Sequence, residues 1–305
     1  MNNLVGLINE YYGIIPSSYK KIEGQFCDIY VMDTDSGKFV VKSLPEHFAP
    51  CMEQEGHLTH YLSESSINVA RILKTRENKY HVKTNTELFH VQEYIDGIHW
   101  KPNTAPNWLV ESLADTLGRI HYTLKDYTTL HSSMCDDYLN RNIYNWALKH
   151  YTYDAERMSH LNRISQFDID KEKLTYSNSH GDFHTGQIIS QNQNFTIIDW
   201  TSAGRIPICF EIINSYVFAT PESKDGSIST DGLKRYIDRY LKHFTLNDYD
   251  ISVMPYVLYF NHTIMHYSPP YEDIPFAYQP ICDFICKLTA WLYKNADELA
   301  HALTK

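Results

Sequence analysis

His180-Gly181-Asp182-Phe183-His184-Thr185-Gly186-Gln187 is a compact polar stretch, and it leads directly into two short apolar runs. The runs are Gln187-Ile188-Ile189 and Phe195-Thr196-Ile197-Ile198, with a turn from Ser190 to Asn194 between them, and Asp199 closes the second. The pattern predicts a hairpin with a loop carboxylate at one end and a strand-terminal carboxylate beyond the other. Phosphoryl transfer uses such parts. One carboxylate receives or orients the proton of the attacking hydroxyl, a second holds magnesium against phosphate oxygens, and another loop oxygen completes the metal shell. Asp182 is the candidate base, Asp199 the principal metal ligand and Gln187 a second one. His180 is placed to orient the loop, and His184 to touch phosphate or substrate. With 16 histidines in the chain, each one alone is weak evidence.

The same chemistry needs a cation for the nucleotide phosphates. Phe39-Val40-Val41-Lys42-Ser43-Leu44 is a strand-like run in which Lys42 shares a face with Val40 and Leu44, so the lysine points to an interior or a cleft. Residues 26–32 and 38–44 flank a turn, Asp33 to Gly37, and read as a hairpin. A helix is expected over 50–64, with Met52, Leu58, Tyr61 and Leu62 as its apolar face. It carries Glu53 and Glu55, either of which could pair with Lys42. Strand-like segments follow near 69–74, 79–83 and 88–94. From residue 106 the pattern is helical: 106–124, 136–150, 155–166, 208–219, 230–243, 251–267 and 276–303, interrupted by the β-rich stretch from Leu174 to Trp200.

H-x-D-x-x-x-x-N is the compact catalytic loop of kinases. Here His180, Asp182 and Gln187 stand at that spacing. The sequence resembles the aminoglycoside phosphotransferase family and its choline kinase-like relatives. Their loop H-G-D-[LF]-H-x-G-N is matched by H-G-D-F-H-T-G-Q, and their second motif, I-D-[WFY]-[ED], by Ile198-Asp199-Trp200-Thr201. The resemblance implies an α+β, two-lobed protein-kinase-like fold: a β-rich nucleotide-binding lobe over 1–95 and a mainly helical catalytic lobe over 96–305. It implies ATP and Mg2+ as cofactors. It favours Glu55 over Glu53 as the helix carboxylate, because Glu55 precedes His57-Leu58-Thr59-His60-Tyr61-Leu62. Gln92-Glu93-Tyr94-Ile95-Asp96-Gly97 is similar to the family's hinge, so backbone groups of Glu93 and Tyr94 are candidates for adenine, and Gly97 permits the turn that follows. The phosphate loop, Lys20 to Tyr30, has the single glycine Gly24, and backbone N–H groups near Gln25 to Asp28 are its candidates for capping phosphate. His121, in Gly118-Arg119-Ile120-His121, and Glu211 are read as structural, Glu211 as a brace for the loop.

One departure from that pattern matters. Gln187 stands where the family usually has Asn; it keeps the amide oxygen but adds a methylene, which leaves the second metal position open. No long phosphorylatable stretch follows Asp199, which argues for a small hydroxyl acceptor rather than a protein. Asp136, Asp137, Glu272, Asp273, Tyr267, Tyr271 and Trp291 would line its site and suit an amine-bearing molecule.

Composition bounds these readings. The chain has 305 residues, enough for two lobes. With 27 basic and 37 acidic residues the net charge is −10, and no basic stripe marks a nucleic-acid binder. Six scattered cysteines without a C-x-x-C pair fit reduced thiols. No run reaches the ~18–20 apolar residues of a membrane span, and the N-terminus lacks signal-peptide character. The expectation is a soluble cytoplasmic small-molecule phosphotransferase. Its rival is a catalytically weak or inactive kinase-like binding protein, of the kind found in spore coats.

Overall fold

The computed structural model describes residues 2–23, 27–131, 139–265 and 279–305. Two compact units make up the chain: residues 1–98 with 188–203, and residues 99–187 with 204–305.

The first unit is built on an antiparallel sheet. Helix α1 (Asn2–Tyr12) precedes strands β1 (Ser18–Glu23), β2 (Asp28–Thr34) and β3 (Gly37–Ser43). Helix α2 (Ala49–Glu64) follows, then β4 (Val82–Lys83), β5 (Leu88–Glu93) and β6 (Ile98–His99). The sheet order is β1-β2-β3-β5-β4. Leu4 and Ile8, one turn apart on α1, pack with Tyr30, Met32, Val41, Phe89 and Val91. The spacing of those strand residues puts their side chains on one face, so the helix covers that face. On β3 the residue after Val41, Lys42, takes the opposite face, yet it is 6% exposed. Register pairs it with Ile29 on β2 and His90 on β5. Residues 69–74 run beside β5 rather than forming a strand: Leu73 donates to Val91 O, and Glu93 donates to Arg71 O.

In the second unit, α3 (Asn107–Leu124) presents Leu109, Leu113, Leu117, Ile120 and Leu124 at helical spacing, all fully buried. Burying each such side chain stabilises by about 1.5–3 kcal/mol. Two short helices follow, α4 (Arg141–His150) and α5 (Ala155–Ile164), capped by Asn140 and Asp154 through backbone N–H groups. Strand β7 (Tyr176–Ser179) leads into the His180 loop. The hairpin β8 (Ile188–Gln191) and β9 (Asn194–Ile197) belongs to the first unit. Strand β10 (Gly204–Pro207) then pairs antiparallel with β7, and helices α6 (Ile208–Ala219), α7 (Thr230–Tyr240), α8 (Asp248–Met265) and α9 (Gln279–Leu303) complete the chain. Every residue of α6 is buried, which makes it the central helix of this unit.

Several elements escape the sequence pattern. Strand β1, SYKKIE, is polar and exposed, and it pairs only with β2 in the sheet order. Strands β7 and β10 are four residues each, too short for a period of two to register. Gln187, expected at the start of a strand, instead ends the one-turn 3-10 helix Thr185–Gln187.

Candidate active site

The residues singled out from sequence fall into two clusters, one in each unit. In the first unit Lys42 Nζ forms an ion pair with Asp199 and donates to Thr201 Oγ1. An ammonium has only donors, so the Thr201 hydroxyl accepts from it and turns its own hydrogen outward. That hydrogen goes to Glu55 Oε2, at 3.1 Å. Glu55 Oε1 accepts the backbone N–H of Trp200 at 2.9 Å. The expected pairing of Lys42 with Glu55 therefore runs through Thr201, while Asp199 takes the direct contact. Glu53, the other candidate, lies elsewhere: it accepts from Tyr80 N at 3.3 Å and is 2.8 Å from His81 Nδ1.

This cluster is deeply buried on the lysine and glutamate side. Lys42 is 6% and Glu55 1% exposed. Burial alone would pull the ammonium down, but Asp199 and Glu55 more than offset it and hold the Lys42 pKa above its ordinary value. Burial pushes the Glu55 carboxyl up, against the pull of Lys42. Asp199 keeps 39% of its side chain exposed. Its φ of 60° lies in the left-handed region, which a short polar side chain such as Asp tolerates better than most. Hydrogen bonds hold the chain on either side of it: Gln54 Nε2 donates to Ala203 O at 3.0 Å, Ala70 N to Ile197 O and Ile197 N to Asn68 O.

In the second unit the loop is braced from beneath by Glu211, which is fully buried on α6. Its Oε1 accepts the N–H of Gly181 at 2.7 Å and of Phe183 at 3.3 Å. Its Oε2 meets the Ser179 hydroxyl and lies 3.3 Å from His121 Nε2. His121 is tied to Tyr240 OH through Nδ1 at 2.6 Å. Gly181 has φ 83°, the conformation glycine tolerates. Strand β7 is anchored just before the loop: Asn178 Nδ2 donates to the carbonyls of Leu124, Tyr127 and Thr128, and Leu130 N donates to Asn178 Oδ1. The structural roles expected for His121 and Glu211 thus meet in one buried network.

On this platform Asp182 is half-buried, with 42% of its side chain exposed. Gln187 Nε2 donates to its Oδ2 at 2.8 Å. His184 Nε2 is 3.3 Å from its Oδ1. The N–H of Gly186 points at His184 Nδ1 at 2.9 Å, which makes that nitrogen the acceptor and leaves Nε2 to carry the hydrogen. The His184 ring also stacks on Phe218, centroids 5.2 Å apart. Burial pushes the Asp182 carboxyl up, and His184, Gln187 and His180 more than offset this, holding it below the usual carboxylate range. His180 is fully buried, and its Nδ1 accepts from Asp182 N at 3.3 Å. It shapes the loop and is a positioning residue.

The hinge candidates lie in the first unit. The N–H of Glu93 is engaged by Arg71 O, and its carboxylate by the Arg71 guanidinium. Gly97 has φ 156°, and a Cβ there would stand 2.5 Å from Ser190 O, so only glycine fits the turn. Gln25, the phosphate-loop candidate, lies outside the described residues, as do Asp136, Asp137, Tyr267, Tyr271, Glu272 and Asp273. Trp291 lies on α9. Thr201 and His90 are the residues sequence reasoning missed. Thr201 follows the Ile198-Asp199-Trp200 motif directly, and that position was the available signal. His90 joins the cluster only through strand register.

Among the described residues no three His, Cys, Asp or Glu side chains are grouped to hold a metal. Magnesium does not require such a group: one or two protein oxygens, water and substrate phosphates suffice. The half-exposed Asp199 carboxylate is a hard oxygen of that kind, and so is Gln187 Oε1, the end of the amide that Asp182 does not use.

The fold is kinase-like, with an antiparallel-sheet unit and a helical unit. The phosphotransferase enzyme family matches residues 19–250, and the chain belongs to it. It is a phosphotransferase acting on hydroxyl groups. No curated protein matches the sequence. Among solved structures, an amicoumacin kinase in complex with AMP-PNP, Ca2+ and Ami is similar at TM-score 0.70 and 15% identity, over 97% of this chain and 93% of that one. Spectinomycin phosphotransferase in complex with ADP and spectinomycin gives TM-score 0.63 and 13% identity, over 96% and 98%. Choline kinase from Cryptosporidium parvum Iowa II gives TM-score 0.63 and 13% identity, over 99% and 97%. At these identities the likeness is one of fold.

Proposed function

We propose that the chain moves the γ-phosphate of ATP, with magnesium, to a hydroxyl of a small molecule, an aminoglycoside-like compound, an amino alcohol or a sugar. The observation that carries this reading is Asp182: a half-exposed carboxylate, kept ionised, with one hydrogen bond on each oxygen. Each oxygen retains a lone pair for the acceptor hydroxyl. In phosphoryl transfer the base mainly orients the nucleophile and takes its proton late. A weakly basic, well-oriented Asp182 suits that task.

Lys42, charged and fixed by Asp199 and Thr201, is suited to the phosphates, and Glu55 sets its position through Thr201. Asp199 would hold magnesium, with Gln187 Oε1 as a second ligand; the ion would supply positive charge against the phosphates. His184 would steady Asp182 and face the transferred group. The Glu93 carbonyl and the Tyr94 backbone would meet adenine. Amicoumacin, spectinomycin and choline, named for the structural neighbours, are polar hydroxyl compounds and set the first acceptors to try. A net charge of −10 favours cationic ones. The test is a panel of aminoglycosides, amino alcohols and sugars with ATP and Mg2+, read by coupled ADP release. Acceptor-dependent release that disappears in Asp182→Asn supports the reading. Release that no acceptor stimulates, or that Asp182→Asn retains, refutes it.

A further inference from the structure

His90 is an anomaly in a well-satisfied interior. It is fully buried on β5, and neither ring nitrogen finds a hydrogen-bond partner among the described residues. Buried polar side chains are nearly always hydrogen-bonded, and leaving one unpaired costs stability. His90 is also not placed at random. It is the cross-strand partner of Lys42, and its Nδ1 stands 4.0 Å from Glu55 Oε2. A hydrogen bond needs about 2.7–3.2 Å, so a movement of about 1 Å would make one.

Glu55 has room for it. A carboxylate offers about four lone-pair sites, and the two contacts on Glu55 are the Trp200 N–H and the Thr201 hydroxyl. Lys42 now spends its charge on Asp199. Once Asp199 turns to a metal ion and Lys42 to phosphate, Glu55 is the one remaining carboxylate of the cluster to anchor the ammonium. A carboxylate pulled by an ammonium needs a donor behind it.

We propose that His90 is a positioning residue for nucleotide binding: its Nδ1–H closes on Glu55 Oε2 and fixes the carboxylate that anchors Lys42. This rests on the reading of Lys42 and Glu55 as nucleotide-side residues. In the form described here the ring waits at 4.0 Å, and its unpaired nitrogens cost stability. Burial and the Lys42 charge keep His90 neutral, with a pKa lowered to about 3, so the ring carries a single N–H to offer.

The experiment uses the full chain with ADP and Mg2+ as the probe, reading Kd by calorimetry and Tm without nucleotide. His90→Phe keeps a ring and removes both nitrogens; His90→Leu serves as the second apolar variant should the first not fold. His90→Asn restores a donor at the Nδ1 position. The expected result is a Kd for ADP raised about tenfold in the apolar variants, comparable to losing one hydrogen bond to a charged group, with Tm in the nucleotide-free form equal to or above wild type. Asn returns the Kd to within about threefold of wild type. A merely structural histidine would give the reverse pattern, a changed Tm with Kd unmoved, and that overturns the proposal. Asn binding as weakly as Phe overturns it too, since packing rather than a hydrogen bond would be at stake. Lys42→Ala run alongside separates the two readings: if it binds ADP as wild type does, the assignment of Lys42 falls, and His90 with it; if it binds weakly while the His90 variants bind normally, only the role of His90 falls.

Discussion

His90 makes a quantitative prediction about acid stability, independent of any nucleotide. Its pKa is lowered from the ordinary 6.5 to about 3, first by burial and then by Lys42. The sign follows from proton counting. Between those values the unfolded chain binds a proton at this position and the folded chain does not, so stability rises with pH across that window and levels off above it. The linkage relation gives a loss of about 2 kcal/mol from this one residue on going from pH 7 to pH 5. In His90→Leu that contribution vanishes. The assay is urea unfolding at pH 7, 6 and 5 on wild type and variant, comparing the change in unfolding free energy with pH. Wild type should lose about 2 kcal/mol more than the variant over that range. Other buried groups, His160 among them, titrate in both proteins and cancel in the difference. Equal losses in the two would refute the picture of a ring buried in its neutral form.

The other predictions concern the site's direct contacts. Lys42→Met leaves Glu55 buried without its cation, so unfolding free energy should fall by about 3 kcal/mol, together with ADP affinity; a variant as stable as wild type would contradict the buried pair. Thr201→Val keeps the shape and removes the hydroxyl between Lys42 and Glu55, and should weaken ADP binding about tenfold, with Thr201→Ser restoring it; equal ADP affinity in all three would remove Thr201 from the nucleotide side. Gln187→Asn, which from sequence alone should preserve or improve activity, shortens the donor that reaches Asp182 Oδ2 at 2.8 Å, so kcat should fall several-fold with the Mg2+ requirement unchanged; a raised kcat would show that the Asp182 contact does not need the longer side chain. Asp182→Asn should keep ADP affinity and lower turnover by ~10²–10⁴-fold. Its new NH2 must face one of the two donors now on the carboxylate, His184 or Gln187, so Tm should drop as well, by an amount equivalent to about 1–3 kcal/mol; undiminished turnover would remove the base assignment.

The larger elements were legible because their periods are strong. The buried aliphatic residues of α3, Leu109, Leu113, Leu117, Ile120 and Leu124, stand three and four apart, and the hairpin β2–β3 shows its turn chemistry and its alternation. Loop residues 180–187 stood out for a different reason: they match a motif by residue type at fixed spacing, and spacing along the chain survives without a structure. What stayed hidden depends on register. That Lys42 faces His90 follows from how β3 pairs with β5, and no local pattern in LFHVQE encodes the partner. The grouping of the 188–203 hairpin with the first unit is likewise a matter of long-range pairing, seen in the bridge Val69–Ile197. Glu211 as a brace could be guessed, but its partners Ser179 and His121 sit on β7 and α3 and meet it only in the folded unit.

The departures from the family pattern become intelligible together. Where relatives carry an acidic residue, this chain has Thr201, and where they usually carry Asn it has Gln187. An acidic side chain at 201 would place a third carboxylate beside Asp199 and Glu55, with one lysine to serve all three. A hydroxyl passes the lysine's hydrogen bond on to Glu55 at no cost in charge. At 187 the added methylene lets the amide reach Asp182 from the end of a 3-10 turn. Both residues make hydrogen bonds within their clusters. A degraded enzyme would be expected to lose the charged residues first, since each of them costs stability when buried. Lys42, Glu55, Asp182 and Asp199 are all retained, beside a buried His90 that finds no hydrogen-bond partner among the described residues. Stability alone gives no reason to keep that arrangement, and phosphoryl transfer does.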